Sequence, residues 1–169
     1  VNILAHLLIY NNLEYMRDEL LYFSYGKHVA AGYATSPPLI GLLSFIIQNT
    51  IGYSLIAVRI VPALTSGLMV WLTALICKEL GGKNYAQILS AVGILIAPFA
   101  LRTFTMFQPV FIDLVFWTLV FLLLVRFVNT NSPKYLIYMG LTAGFSMLNY
   151  YLIAVLFFSI LFIIPRQWN

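Results

Sequence analysis

The sequence predicts an all-α fold, a polytopic transmembrane helical bundle with interfacial helices in its first external loop, on three observations. The chain is 62% hydrophobic and only 8% charged, far below the roughly 25% of charged residues with which a soluble domain covers its surface. Several apolar runs approach the roughly 20 residues that carry a helix across hydrocarbon at about 1.5 Å per residue. Aromatic side chains are abundant, with 11 Tyr, 13 Phe and 3 Trp, and amphipathic rings collect where hydrocarbon meets headgroup. The formal charge of +4 comes from cations scattered singly between apolar runs; they build no basic stripe, which excludes a nucleic-acid partner. Cys77 is the single cysteine, so neither a disulfide framework nor a Cys metal site can form within the chain.

Residues 1–12 are expected to be the end of a first span. Val1 in place of Met, and a stop shortly after Pro165-Arg166, predict a fragment of a longer chain; an alternative start codon is the other source of Val1. A cleaved signal peptide is not expected, because no basic region precedes Ile3 and no small-residue cleavage site follows Tyr10. His6 on this run reads as a satisfied or interfacial histidine. Residues 13–58 hold Glu14, Arg17, Asp18, Glu19, Lys27 and His28 and cannot cross a bilayer, so they form the external loop. Within it, Tyr15 to Ala31 mixes apolar or aromatic residues with charges and predicts an amphipathic helix lying at the interface. Gly32-Tyr33-Ala34-Thr35-Ser36-Pro37-Pro38 breaks it with a turn that cannot be helical. Leu39 to Ile51 is a short apolar helix ended by Gly52.

Three spans follow. Residues 60–77 are apolar throughout, with Pro62 placed in the first turn, where a missing N–H costs least. The charged, Gly-rich turn Lys78-Glu79-Leu80-Gly81-Gly82-Lys83-Asn84 leads into residues 85–101 as an antiparallel partner. Residues 109–128 are interrupted only by Asp113 and closed by Arg126 before a polar turn. Residues 135–164 are too long for one ordinary span and too short for two. They predict two short helices meeting at Asn149, which requires the break to be buried in protein or to line a wet cavity; one long tilted helix is the alternative. With the loop external, Lys78, Lys83, Arg126, Lys134 and Arg166 fall on the cytoplasmic side and Arg17, Lys27, Arg59 and Arg102 outside, a narrow positive-inside excess.

Candidate chemistry starts at Arg17-Asp18-Glu19, since consecutive charges beside a membrane are costly unless solvated or used. A solvated helix face carries the same triplet. Neighbouring helical residues point about 100° apart, so Asp18 and Glu19 cannot both face one substrate atom. Asp18 shares a stripe with Tyr22 and Tyr25, which suits carbohydrate or a lipid headgroup and equally suits packing. Asp113 lies beyond the first turn of its helix, where the helix dipole accounts for it poorly, and an acid there is a functional candidate by default; a snorkelling acid bonded to a neighbour is the alternative. Topology puts it near the same membrane face as Asp18. Arg59, Arg102, Lys27 and His28 supply positive charge on that face, and Arg is the better fork for phosphate.

Taken together, Tyr15-Met16-Arg17-Asp18-Glu19-Leu20, Gly32-Tyr33 followed by Ser36-Pro37-Pro38-Leu39, Ala57-Val58-Arg59-Ile60-Val61-Pro62-Ala63-Leu64 and Lys78-Glu79-Leu80-Gly81-Gly82 resemble the dolichyl-phosphate-mannose protein mannosyltransferase family. The resemblance is closest to its bacterial branch, with the aminoarabinose transferases of lipid A, in the GT-C superfamily. It runs from about Leu13 to Pro165 and includes Asp113 within Phe111-Ile112-Asp113-Leu114 and the stretch Gly140 to Tyr151. It implies a GT-C fold, a catalytic acid at Asp18, a polyprenyl-phosphate-sugar donor, and a second acid, Asp113, near the donor phosphate or a metal. Three departures stand out. Ser36 occupies a place where the family often has Lys or His, and Tyr150 one where Lys often follows Asn; each removes a phosphate contact. The further spans and soluble domain of such enzymes are absent, so the fragment alone is expected to be inactive.

The expected reaction is an inverting transfer at the extracytoplasmic face of a bacterial inner membrane, to an acceptor hydroxyl on a protein or glycolipid. Asp18, or failing it Glu19, takes the hydroxyl proton; Arg17, Arg59, Arg102, Tyr22, Lys27 and His28 bind donor phosphate or substrate. No cofactor is required, although Asp113 offers a ligand for a divalent cation. A transporter or lipid flippase would use Asp18 and Asp113 as ion relays and the break at Asn149 as a midplane site. A non-catalytic membrane assembly subunit is a third reading.

Overall fold

The computed structural model describes residues 17–52 and 54–163. The expected end of a first span, His6, the start of the external loop through Met16, and Pro165-Arg166 lie outside the described residues. Among those described there are eight helices and no strand, numbered here α1 (Arg17–Tyr25), α2 (Leu39–Thr50), α3 (Leu55–Glu79), α4 (Asn84–Ile96), α5 (Pro98–Thr103), α6 (Pro109–Thr130), α7 (Lys134–Met147) and α8 (Ile153–Ile163). The fold is an all-α membrane type. Helices α3 and α6 are long and apolar enough to cross a bilayer.

Helix α3 begins earlier than the hydropathy of 60–77 suggests. Ser54 adopts extended backbone angles and its hydroxyl accepts the Ala57 N–H at 3.1 Å, an N-cap that satisfies one orphan donor of the first turn. Pro62 therefore lies about two turns inside the helix rather than in its first turn, and the Val58 carbonyl loses its usual i+4 donor. The break expected nowhere within 85–101 is present at Ala97. A proline ring drives the residue before it out of the helical region; Ala97 sits at φ −64, ψ 121, and the segment divides into α4 and the short α5. Helix α6 starts with Pro109 at its first position and ends on Asn131 in the left-handed region, where the Asn131 N–H still reaches the Phe127 carbonyl at 2.8 Å. Helix α1 is also shorter than the amphipathic stretch 15–31, closing at Tyr25 with Gly26 and Lys27 in the following turn.

Helix α3 packs on α4 and on α6, α6 on α7, and α1 on α2. Apolar side chains such as Leu64, Trp71, Ile88 and Ile137 stay exposed; so much apolar surface is sustainable against lipid and not against water. One core cluster joins Phe23 of α1, Ile40 and Ile47 of α2, Val58 of α3, Ala100 of α5 and Phe111 of α6, with Phe104 and Phe107 between them. It is the platform on which α1 rests. A second cluster fastens α6 to α7 and α8 through Val120, Leu123, Met139 and Ile153.

Helices α7 and α8 are separated at residues 148–152. Asn149 is fully buried there, and its side-chain amide donates to the Pro109 carbonyl at 2.9 Å. The Leu39 N–H donates to the Leu148 carbonyl at 3.0 Å. The interruption is thus stitched to the start of α6 and the start of α2, which is how freed backbone groups at membrane depth become tolerable.

Candidate functional site

Helix α1 divides its two acids by geometry. Glu19 turns inward and is 1% exposed; one carboxylate oxygen accepts the Phe107 N–H at 3.0 Å and the other lies 3.3 Å from a terminal guanidinium nitrogen of Arg59. These contacts reach α3 and the segment between α5 and α6. They also pair the two buried charges with each other, without which burial would cost several kcal/mol per ion. Arg59, expected among the substrate-binding cations, is buried in this anchor.

Asp18, one residue earlier, is exposed and turned elsewhere. It lines a cleft of about 190 Å³ together with Glu19, Arg102, Met106, Phe107 and Gln108. Within hydrogen-bonding or ion-pairing distance Asp18 and Arg102 have no partner among the described residues. A carboxylate and a guanidinium therefore line one cleft with their charges uncommitted to any described residue. Of the cations named from sequence, Arg102 is the one brought to Asp18. Arg17 is exposed at the start of α1. Lys27 and His28 are exposed on the turn after α1 and line no part of this cleft.

Tyr22 lies one helical turn from Asp18. Burial pushes its phenol above the ordinary tyrosine range, and the nearby charges of Asp18, Tyr150 and Tyr25 add to the shift. The Tyr22 ring meets Tyr25 edge-on at 6.0 Å. Tyr25 stacks on Tyr33 at 3.9 Å and 7°, and its hydroxyl is 2.7 Å from the Thr35 hydroxyl. Gly41 of α2 lies beneath the Tyr33 ring so closely that a Cβ would collide with it. At Gly26 the chain passes equally close to Ser44 and Gln48, whose side chains both donate to the Phe23 carbonyl. Aromatic stacking and these close approaches make α1, the 26–38 loop and α2 one body.

Tyr33, Thr35, Ser36 and Pro37 of that loop share an open-sided chamber of about 400 Å³ with Tyr150, Tyr151, Leu152 and Val155. Ser36 and Tyr150, the two positions where the sequence lacks a cation usual in the family it resembles, thus meet in one place.

Asp113 lies at the same end of α6 as Gln108 but lines neither cleft nor chamber. Beside it are the Ser146 hydroxyl and the Trp117 indole N–H, and one oxygen of Asp113 is buried without a hydrogen bond of good geometry, as are Ser146 Oγ and Trp117 Nε1. A divalent cation would find one carboxylate, one hydroxyl and an N–H that donates and cannot ligate. Among the described residues no three His, Cys, Asp or Glu gather at any point. The surroundings of Asp113 do not fit a metal.

Sequence reasoning missed Met106, Phe107 and Gln108 as cleft walls. The signal was available in Pro98 and Pro109, which bracket a short non-spanning segment. It also missed the chamber, because its two walls lie more than a hundred residues apart.

A family model described as dolichyl-phosphate-mannose-protein mannosyltransferase matches residues 35–168, and the chain belongs to that family. Membership makes it a membrane glycosyltransferase of the mannosyltransferase type. The matched segment contains Arg59, Arg102, Asp113 and the chamber's lining from Thr35 onward, and begins after α1. Neither the curated proteins nor the solved structures contain a match.

Proposed function

We propose that this member of the dolichyl-phosphate-mannose-protein mannosyltransferase family transfers a sugar from a polyprenyl-phosphate-sugar donor to an acceptor hydroxyl, on a protein or glycolipid, at the extracytoplasmic face of a bacterial inner membrane. The observation that carries this reading is the uncommitted Asp18 carboxylate facing Arg102 across the cleft, on a helix held rigid from behind by Glu19 and Arg59. A base must be both available and fixed in place.

In the proposed step Asp18 accepts the proton of the acceptor hydroxyl as that oxygen attacks the anomeric carbon. The bond between that carbon and the phosphate oxygen breaks, and its electron pair leaves with the lipid phosphate. The product carries the inverted configuration. Arg102 supplies a forked cation for the phosphate as its negative charge grows. A stable anion leaves, so no general acid is needed, and no step passes through a metal.

The test is turnover by the full-length protein in lipid nanodiscs supplied with polyprenyl-phosphate mannose, polyprenyl-phosphate glucose or polyprenyl-phosphate aminoarabinose, with released lipid phosphate measured. Consumption of one donor, reduced about 10- to 100-fold by Arg102→Ala, supports the assignment, since a charge-assisted contact made in the transition state is worth about 1.5–3 kcal/mol. Proton-coupled uptake into sealed vesicles with no donor consumed would replace it with a transport function.

A further inference from the structure

Charge is distributed unevenly between the two ends of the spans. At the end carrying α1, acid tempers base: Glu19 holds Arg59, and Asp18 shares a cleft with Arg102. The opposite end is formed by the turn from α3 to α4 and the turn from α6 to α7. Helices α3 and α6 pack side by side, and their ends are joined where Arg126 donates to the Glu79 carboxylate at 2.8 Å and the Asn129 amide donates to the Glu79 backbone carbonyl at 2.7 Å. Glu79 is the one acid at this end among the described residues, and Arg126 takes it. Lys78, Lys83 and Lys134 are exposed and have no acidic partner among the described residues. Positive charge is thus left uncompensated at this end.

The turns hold these ammonium groups at the boundary of the spans. Gly81 sits at φ 87, a conformation that side chains disfavour, and closes a tight reversal in which the Gly82 N–H reaches the Cys77 carbonyl at 2.8 Å. The Gln87 side chain donates to the Gly82 carbonyl at 2.9 Å. The chain therefore turns back at once, with Lys78 in the last turn of α3 and Lys83 immediately before α4. On the other turn Lys134 begins α7 and holds its ammonium 5.2 Å from the centre of the Tyr135 ring. The apolar lengths of α3 and α6 end at Glu79 and Thr130, so the lysines fall where hydrocarbon gives way to headgroups. Tyr85 and Tyr138 are exposed close by, as amphipathic rings are at that depth. Further along the same two helices the exposed side chains are apolar, with Ile88 on α4 and Ile137 on α7.

A soluble polyanion would pair with the lysines but leave the apolar surface beside them in water. A zwitterionic lipid would cover that surface, yet its own ammonium opposes the lysines. An anionic phospholipid meets both demands: its phosphodiester carries the one uncompensated charge, and its acyl chains lie along the apolar faces. Lysine suits this contact, since its flexible stem lies on apolar surface while the ammonium reaches the headgroup as a point charge. We infer that this end of the molecule is a docking surface for anionic phospholipid headgroups, carried by Lys78, Lys83 and Lys134. The inference stands apart from the transfer chemistry proposed at the other end.

The test is native mass spectrometry of the full-length protein, titrated in detergent with phosphatidylglycerol or with phosphatidylcholine of the same acyl chains. Expected is a preference for phosphatidylglycerol of at least about 10-fold, at roughly fivefold for each lysine near an anionic headgroup. Lys78→Gln, Lys83→Gln and Lys134→Gln combined should lower phosphatidylglycerol binding about 10- to 100-fold on the same scale and leave phosphatidylcholine binding as it is. Arg at the same three positions should keep the preference, and raised salt should weaken it in the parent protein. Arg17→Gln with Lys27→Gln, at the α1 end, should leave most of it. Equal binding of the two lipids by the parent, an unchanged preference in the triple Gln variant, or a larger loss in the Arg17 and Lys27 pair overturns the proposal. If the triple Gln variant loses both lipids, the parent and the Arg variant decide, and a preference insensitive to salt or lost with Arg overturns it. Displacement of phosphatidylglycerol by soluble glycerol phosphate would show a site for free phosphate and overturn the lipid assignment.

Discussion

Two ion pairs tie distant parts of the chain, and they do different work. At the end of the molecule carrying α1, Glu19 and Arg59 are 1% and 8% exposed and bridge α1 to α3 at 3.3 Å. At the C-terminal end of α3, Glu79 meets Arg126 of α6 at a shorter 2.8 Å, but the two remain 29% and 33% exposed. The shorter pair is the weaker constraint, because water screens it and solvates either partner alone. The buried pair leaves no such refuge, and it adds the Phe107 N–H to its contacts. Burial, more than distance, decides which pair fixes its region, and the fixed region is the one that presents Asp18.

The largest effect that would break this contrast is expected at Glu19. Glu19→Gln keeps the shape and an acceptor for Phe107 but leaves the Arg59 charge buried without its counter-ion, at a cost of about 3–5 kcal/mol. Thermal unfolding in nanodiscs should show a large drop, with α1 newly open to limited proteolysis; an unchanged midpoint would mean the pair is not what holds α1. Gly41→Ala is the next step down. Its Cβ must displace the Tyr33 ring, and overpacking of that kind costs about 1–3 kcal/mol, read in the same melt and in slower quenching-sensitive packing of the tyrosine cluster. Glu79→Gln should cost no more than about 1 kcal/mol, and raised salt should erase even that. The smallest effect belongs to Tyr22. Its phenol is raised in the folded state, so its contribution to stability is complete below the ordinary tyrosine pKa and is lost as pH rises through the raised value. An ultraviolet difference titration of the parent against Tyr22→Phe should place that ionisation above the bulk of the tyrosines, and ionisation with or before them would contradict the crowded environment.

The same contrast explains what the sequence could reveal. The apolar runs behind α3 and α6 were legible because hydropathy is a local sum, and so was a separation near Asn149, where a polar Asn interrupts apolar residues. The start of α3 was obscured by Arg59, whose charge looks like the edge of a loop and is in fact neutralised by a partner 40 residues away. The division at Ala97 was signalled by Pro98, yet a hydropathy window averages across a proline. Helical periodicity stated that Asp18 and Glu19 point in different directions. Which one turns inward was undecidable locally, since the answer lies with Arg59 and with a backbone N–H 88 residues away. The neutral chamber was likewise invisible, its walls being joined through the hydrogen bond from the Leu39 N–H to the Leu148 carbonyl across more than a hundred residues.

The claim that Asp18 acts while Glu19 anchors is tested most directly by measuring turnover and unfolding on Asp18→Asn in the full-length enzyme. Asn keeps the size and the hydrogen-bonding edge but cannot take a proton at neutral pH. The account predicts turnover lower by about 10²–10⁴, with the melting midpoint close to that of the parent, because an exposed side chain without partners among the described residues supports nothing else there and such substitutions stay within about 0.5 kcal/mol. Normal turnover in Asp18→Asn would contradict it.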